Sequence, residues 1–215
     1  MHETIREQLH ALARKYQTDV GACHRYDHTE RVVSNALLLA RAYPDIDVDA
    51  LEAAAWLHDI GRGVERKKGE SHADASARLA RRLLVDLAFT LAQIQRICDA
   101  IADHRYSSGR VPKSWEGRLL QDADRLDALG AVGIARTFAE GGDRALYHPR
   151  IPFPTAGERA LDDTRYTLDH FFTKLLTLSE TLHTPEARQT AERRTEAMRH
   201  FLQEFTADIA TTIAL

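Results

Sequence analysis

Apolar residues recur at steps of three and four along almost the whole chain, and this spacing limits what the chain can fold into. Residues 2–16, for example, place Ile5, Leu9 and Leu12 on one face of a helix. No segment shows a convincing alternation of apolar and polar residues, which is the pattern of a half-buried strand. The spacing therefore predicts an all-α fold.

Capping and helix-breaking residues set the expected boundaries. Asp47 is a candidate N-cap, and Thr184 precedes Pro185 at the start of the last helix. The predicted helices and loops are helices at 2–16, 28–43, 48–60, from Ser71, from Thr90, about 114–130, through Arg136, about 158–182 and 185–213, with loops at 107–112 and 141–157. A chain of 215 residues is long enough for one substantial core, so a single domain over 1–215 is expected.

Composition excludes several classes of protein. The 29 Lys and Arg residues nearly balance the 32 Asp and Glu residues, so stable binding to nucleic acid is not expected. No stretch approaches the roughly 20 apolar residues of a membrane span, and the first residues do not resemble a signal peptide. Cys23 and Cys98 cannot form a disulfide framework. A cytoplasmic location is expected.

Four histidines lie near predicted helix ends on the faces that carry the apolar residues. They are His28, His58, His72 and His104. A single histidine in such a place is usually a buried side chain with a backbone partner. Four of them, each where side chains of several helices can converge, favour a shared site instead.

Carboxylates accompany these histidines. Asp59 directly follows His58, while Asp124 and Asp127 stand three residues apart on one helix face. A carboxylate at a core-facing helix end is costly to bury unless it is paired or binds a metal. Imidazoles and carboxylates without thiolates suit Mn, Fe, Ni, Co, Mg or Zn.

The order of these residues carries a family resemblance. His28, then the doublet His58-Asp59, then Asp124 resembles the metal signature of the HD-domain superfamily. The flanking runs His28-Thr-Glu-Arg-Val and Leu57-His-Asp-Ile-Gly match as well, and the run from Asp122 to Gly130 resembles one branch of small bacterial HD phosphohydrolases. The likeness covers about residues 24–140 and leaves the C-terminal helices, about 158–213, without a usable motif.

The resemblance implies an all-helical, HD-type bundle in which His28, His58, Asp59 and Asp124 ligate a divalent metal. It also implies a metal-dependent phosphohydrolase that acts on nucleotides or related phosphate esters and anhydrides through a metal-activated water. His72 and His104 occupy positions where some branches complete a second metal site. They are therefore either ligands of a second metal bridged by Asp59, donors to a substrate phosphate, or structural histidines.

The sequence does not identify the general base of the reaction. Some nucleotidase branches carry an acidic residue just beyond the doublet, but this chain reads Ile-Gly-Arg-Gly at 60–63. Asp127 and Glu65 are the nearby candidates. Asp127 either orients the attacking water or accepts a hydrogen bond from a ligating histidine.

Three cations are candidates for the substrate phosphate. Arg31 lies one turn after His28, and it contacts either the substrate or a carboxylate of the site. Lys67 and Lys68 fall in a predicted loop at 65–69, where they either clamp a phosphate or form an ordinary solvated charge run.

Two other functions fit the same residues. One is a di-iron HD oxygenase, which would need both metal positions filled by iron. The other is a regulatory module that binds a nucleotide without hydrolysing it, although a complete ligand set argues against that class. The expected partner is a small phosphorylated substrate, with no membrane partner, and the sequence is silent on oligomeric state.

Overall fold

The computed structural model describes residues 1–17, 25–154 and 158–213, and in these residues the regular structure is helical. The α-helices are α1 Glu3–Tyr16, α2 Tyr26–Ala40, α3 Val48–Leu57, α4 Arg62–Lys68, α5 His72–Leu84, α6 Leu91–Asp103, α7 Trp115–Asp127, α8 Gly130–Gly141, α9 Asp169–Thr173 and α10 Pro185–Ile213. Short 3-10 helices cover Tyr106–Ser108 and Leu175–Thr181. An isolated bridge joins Ala145 and Tyr166. The predicted all-α fold is confirmed.

The chain divides into two compact units, 1–127 and 128–215. The prediction of a single domain over 1–215 stays a prediction. No helix in the described residues is long and apolar enough to cross a bilayer. Cys98 is buried with a free thiol, whereas Cys23 lies outside the described residues.

Helix α3 is the central element of the first unit. Every residue from Ala50 to Leu57 is buried, and all of them are apolar except Glu52, whose carboxylate binds Arg6. Its four alanines, at 50 and 53–55, present little bulk, and α1, α2, α6 and α7 all pack against it. The C-terminal end of α3 therefore lies inside the unit, and this end carries His58.

Three of the predicted caps are present, whereas Ser71, predicted to begin α5 in a capping box with Asp74, forms no side-chain cap hydrogen bond. The Asp47 carboxylate accepts a hydrogen bond from the Ala50 amide at 3.0 Å and begins α3. Thr90 and Gln93 form a reciprocal capping box at the start of α6. Thr184 accepts from the Ala187 amide at 3.3 Å, directly before Pro185 begins α10. These helix starts could be predicted from the sequence because each cap joins a side chain to a backbone amide only three residues later.

The predicted loop at 65–69 was wrong, because residues 62–68 form helix α4. Gly69 ends this helix with a left-handed φ of 71°, and its amide donates to the Glu65 carbonyl at 2.8 Å. The last turn carries three basic residues, Arg66, Lys67 and Lys68. Their positive charges stabilise the helix by interacting with the negative end of its dipole. A basic turn followed by glycine was the signal for a helix end.

The predicted helix at 158–182 was also wrong. Only Asp169–Thr173 is α-helical, followed by a 3-10 segment, and residues 158–168 are irregular. The buried Asp169 carboxylate accepts two hydrogen bonds from Arg159 at 2.6 Å each and one from the Asp162 amide at 2.7 Å. These bonds fold the segment back on itself. The irregular stretch predicted from 141 is seen up to residue 154, and 155–157 lie outside the described residues.

Aromatic side chains fill the second unit. Phe138 of α8, Phe171 of α9, and Phe201 and Phe205 of α10 have ring centroids 5.6–6.3 Å apart in successive contacts. Such offset and edge-to-face pairs pack efficiently and stabilise the contact between helices. The packing of α8, α9 and α10 against one another therefore rests on these aromatic contacts.

Candidate metal centre

The first unit gathers the predicted donors around the end of α3. His28 lies in the first turn of α2, His58 caps α3, and Asp59 follows it. His72 begins α5, His104 caps α6, and Asp124 lies in the last turn of α7. Each side chain comes from a helix end, so five helices contribute to one small volume.

One set of donor atoms surrounds Asp59 Oδ2. His28 Nε2 lies 3.4 Å from His58 Nε2 and 3.4 Å from Asp124 Oδ1. The same carboxylate oxygen, Asp59 Oδ2, is 3.6 Å from each of the two imidazole nitrogens. Ligand atoms that share one tetrahedral cation at about 2.1 Å are about 3.4 Å apart, so this spacing fits a divalent metal.

A second set surrounds the other oxygen of the same carboxylate. Asp59 Oδ1 lies 3.5 Å from His72 Nε2 and 3.6 Å from His104 Nε2. One donor atom from each of His58, Asp59 and His104 lies within 4.8 Å of the other two. His72 belongs to the same set because its Nε2 contacts Asp59 Oδ1. Asp59 therefore presents one oxygen to each pair of histidines.

The backbone fixes two of the imidazole rings. His58 Nδ1 lies 2.7 Å from the Ala55 carbonyl, and His104 Nδ1 lies 2.6 Å from the Ile101 carbonyl. A carbonyl oxygen only accepts, so each Nδ1 carries the hydrogen and donates it. The lone pair of the neutral ring is then on Nε2, which faces the carboxylates.

Carboxylates fix the other two rings. His28 Nδ1 pairs with Asp127 Oδ2 at 2.7 Å, and His72 Nδ1 pairs with Glu65 Oε2 at 2.8 Å. A carboxylate on the far nitrogen orients an imidazole toward a metal and raises its basicity. Thus all four rings turn Nε2 toward Asp59 or Asp124.

Each of these supporting carboxylates also binds an arginine. Arg31 Nε lies 2.6 Å from Asp127 Oδ1. Arg105 Nη1 lies 2.7 Å from Glu65 Oε1. Asp127 and Glu65, the two candidates for the general base, are therefore both engaged by an imidazole and a guanidinium.

Burial keeps most of the centre dry. His28, His58 and Asp59 are fully buried, and His104 is nearly so. The Asp124 side chain, in contrast, is 25% exposed, so the centre opens to solvent on the side of α7. A small ligand would reach the donors from that side.

The electrostatics favour cation binding. Burial lowers the pKa of His58 and of His72 to about 4, so both rings are neutral and able to ligate near pH 7. Burial opposes ionisation of Asp124, but His28, His58 and His104 outweigh it and lower the pKa of that carboxyl. Although burial lowers the pKa of His104, the Asp59 carboxylate outweighs it and raises that pKa. The negative charge of Asp59 and Asp124 therefore lies beside the neutral Nε2 atoms of His58 and His72.

Two predicted phosphate contacts do not reach this centre. Lys67 and Lys68 are exposed on α4, and neither forms an ion pair or hydrogen bond with a donor of the centre in the described part of the chain. Arg62, which the sequence did not single out, lies against the centre instead. Its Nε donates to Asp59 Oδ2 at 2.5 Å, and its side chain is 19% exposed. Its position three residues after Asp59 was the available signal.

Gly61 brings the doublet close to α5. A Cβ at this position would lie 2.5 Å from the His72 carbonyl oxygen and 2.5 Å from the Ser76 amide nitrogen. The Gly61 amide donates to the buried Ser76 Oγ at 2.8 Å. The missing side chain therefore sets the distance between Asp59 and the start of α5, where His72 lies.

The fold and the centre define an all-helical protein with an imidazole-carboxylate site, and comparison with known proteins specifies the class. The HD domain model matches residues 25–129. YpgQ of Bacillus subtilis is 30% identical over 207 residues, covering 94% of this chain and 93% of YpgQ. The chain belongs to the HD-domain family.

Solved structures agree with this assignment. YpgQ in complex with ADP is 29% identical, with a TM-score of 0.72 over 94% of this chain and 93% of that one. An HD-superfamily hydrolase from Bacillus thuringiensis is 30% identical, with a TM-score of 0.73 over 97% and 98%. A shorter match, to Ribonuclease Y of Treponema pallidum, is 31% identical over 129 residues, 60% of this chain and 23% of that protein.

Proposed function

We propose that the protein is a divalent-metal-dependent phosphohydrolase that acts on nucleotides or related small phosphate esters and anhydrides. The observation that carries the proposal is the position of Asp59. Its two oxygens each face a pair of imidazole Nε2 atoms at 3.5–3.6 Å. Nitrogen and oxygen donors without thiolates suit Mn, Fe, Co, Ni, Zn or Mg.

The residues proposed to hold the first cation are His28, His58, Asp59 and Asp124, and those proposed for the second are Asp59, His72 and His104. When bound, such cations supply Lewis acidity for a phosphoryl oxygen and make water a better nucleophile near neutral pH. The protein contributes fixed donor orientation, because every ring is held at Nδ1, and exclusion of water around Asp59.

Arg62 is proposed to contact the substrate phosphate in place of Lys67 and Lys68. Its guanidinium contacts Asp59, and its side chain is partly exposed to solvent. Arg31 is proposed to act on the site through Asp127, which it binds together with His28. The proton-transfer role suggested for Asp127 is weaker than its orienting role, since both of its oxygens are occupied.

A nucleotide is the proposed substrate class. YpgQ, which matches this chain over nearly its whole length, was solved in complex with ADP. The Ribonuclease Y match covers less than a quarter of that protein, so its substrate is not carried over. The formal charge of -3 also gives no support for extended contact with nucleic acid.

Phosphate and pyrophosphate release from a panel of triphosphates, monophosphates and cyclic diesters tests the proposal. We expect release with Mn²⁺, lost by at least about 100-fold in Asp59→Asn, where one charged bridging ligand becomes a neutral amide. Asp86→Asn, which changes an exposed carboxylate of the same unit, is the matched control and should retain full activity.

Two outcomes would overturn the proposal. Oxygen consumption with Fe²⁺ and an organic substrate, without phosphate release, would indicate the di-iron oxygenase that the same paired donor sets allow. Tight ADP binding with no product under any divalent metal would indicate a regulatory nucleotide-binding module.

A further inference from the structure

A buried serine of α5 contacts the backbone of the turn that follows Asp59. Ser76 is fully buried, and its Oγ accepts a hydrogen bond from the Gly61 amide at 2.8 Å. Ser76 comes four residues after His72 in the same helix, so the two side chains lie on the same face one turn apart. Helix α5 therefore carries both a proposed metal ligand and a group that binds the turn behind Asp59.

The Gly61 amide needs an acceptor from another part of the chain. Gly61 is buried and is the N-cap residue of α4. Amides at the start of an α-helix have no acceptor within that helix. A buried amide without an acceptor costs free energy, so the Ser76 hydroxyl supplies a bond that this turn requires.

The bond acts across a direct backbone contact. A Cβ at Gly61 would lie 2.5 Å from the His72 carbonyl oxygen and 2.5 Å from the Ser76 amide nitrogen, so the turn already touches α5. This contact prevents a closer approach of the turn to α5, and the Ser76 hydrogen bond prevents their separation. The two interactions together fix one distance between the two backbones.

That distance governs the second set of donor atoms. Asp59 stands two residues before Gly61, and its Oδ1 lies 3.5 Å from His72 Nε2. A movement of α5 away from the turn would lengthen this spacing, because Asp59 and His72 lie on opposite sides of the contact. The other proposed ligands of the first cation, His28, His58 and Asp124, come from α2, α3 and α7 and would not move with α5.

We propose that Ser76 is a positioning residue for the second cation. Its hydroxyl holds α5 and the Asp59 turn at the separation at which Asp59 Oδ1 and His72 Nε2 can share one ion. Ser76 contacts neither the cation nor the substrate and acts through Gly61. The role rests on the proposed function, because it requires a cation beside His72 and His104.

Hydrogen exchange of the Gly61 amide, measured by NMR on protein kept in EDTA, tests the bond without any cation. We expect slow exchange in the native protein and exchange at least about tenfold faster in Ser76→Ala, which removes the acceptor. Ser76→Thr keeps the accepting oxygen and should restore the slow exchange.

Titration with Mn²⁺, with the free ion counted by electron paramagnetic resonance, tests the effect on the centre. We expect two ions per native chain. In Ser76→Ala the second should bind about tenfold more weakly, while the first binds within about twofold of the native value. Ser76→Thr should recover the second ion.

Ala80→Gly is the matched control for a loss of stability. Ala80 is fully buried on α5, one turn beyond Ser76. Glycine in a helix interior should lower the thermal midpoint by about 2–4 °C, yet both Mn²⁺ ions should bind as in the native chain. An equal loss of the second ion in Ala80→Gly and Ser76→Ala would show that general destabilisation of α5 is the cause and would overturn the role of Ser76.

Two further outcomes separate this role from the proposed function. Two Mn²⁺ ions in the native chain, with unchanged affinity for both in Ser76→Ala, would overturn the role of Ser76 and leave the proposed function standing. Fewer than two ions in the native chain would overturn the paired cation site, and the role of Ser76 with it.

Discussion

At the scale of single residues, the sequence predicted which side chains lie together but not which groups orient them. The histidines stood out because they lie near helix ends on apolar faces, and the set His28, His58, Asp59 and Asp124 was implied by the resemblance to the HD-domain superfamily. The contact of Glu65 with His72 and Arg105 was not predictable, because it requires α4 to place a carboxylate seven residues before one partner and forty before the other. Arg31 was predictable only as two alternatives, and the structure shows its contact with the Asp127 carboxylate.

Glu65→Ala should separate the two metal positions. Removing the carboxylate that holds His72 Nδ1 frees the ring to rotate, so we expect the second cation to bind about 10–100-fold more weakly while the first is retained. Metal content by mass spectrometry after dialysis should therefore fall from two per chain toward one.

Asp127→Ala is the matched comparison, because it removes the equivalent support from His28 at the first position. There we expect loss of the first cation. Two metals per chain in Glu65→Ala, with unchanged affinity, would show that Glu65 does not position His72.

At the scale of elements, the buried helix α3 and the turn after it place His58 and Asp59 inside the first unit. The apolar run of α3 was readable as a buried helix, and so was its N-cap Asp47. The left-handed stop predicted at Gly61 was wrong, because α3 ends at Leu57 and Gly61, with a φ of -85°, is the N-cap of α4. Helix α4 and the fold of residues 158–182 were not readable. In α4 the helix is only seven residues long, and in 158–168 the conformation depends on a buried Arg159-Asp169 pair that no local periodicity reveals.

Gly61→Ala should disturb the contact between the doublet and α5. The new Cβ would approach two backbone atoms of α5 at 2.5 Å, and backbone cannot move as a side-chain tip does. We expect a loss of about 1–3 kcal/mol in the free energy of unfolding, with weaker binding at the second metal position. Chemical denaturation and metal titration measure the two effects.

Gly63→Ala provides the control two residues away. A Cβ there meets nothing within 4 Å, and the residue lies in α4. Alanine should stabilise the protein by about 0.5–1 kcal/mol without affecting metal content. Equal stability in the two variants would show that the close approach of Gly61 to α5 has no energetic role.

At the scale of the whole molecule, the sequence carries recognisable motifs in the first compact unit and none in the second. The family model ends at residue 129, and the first compact unit ends at residue 127. The second unit is held by a cluster of phenylalanines and by the buried Asp169. Its function was not readable from sequence, because packing residues carry no chemical signature.

Asp169 should make the stability of the second unit depend on pH. Burial opposes its ionisation, but Arg159 and the Asp162 amide outweigh burial and lower the pKa of the carboxyl in the folded chain. The unfolded chain, with an ordinary pKa of about 3.9, therefore binds the proton more readily. The stabilisation is present above that value and is lost as the pH falls through the folded-state pKa.

Unfolding free energies between pH 7 and about pH 2 measure this dependence, because the loss falls below the unfolded-state pKa. Asp169→Asn should be less stable at pH 7 and should lose less stability on acidification than the native chain. Asp143→Asn, at an exposed position of the same unit, should follow the native profile. An acid profile of Asp169→Asn parallel to the native one would exclude the buried pair as the source.

Anomalous diffraction at the manganese edge, from crystals grown with Mn²⁺, shows whether cations bind on both sides of Asp59. We expect two peaks, both in contact with the Asp59 carboxylate, one beside His28, His58 and Asp124 and the other beside His72 and His104. Absence of any peak at Asp59 in Mn²⁺-saturated crystals, or manganese bound only elsewhere, would contradict this expectation.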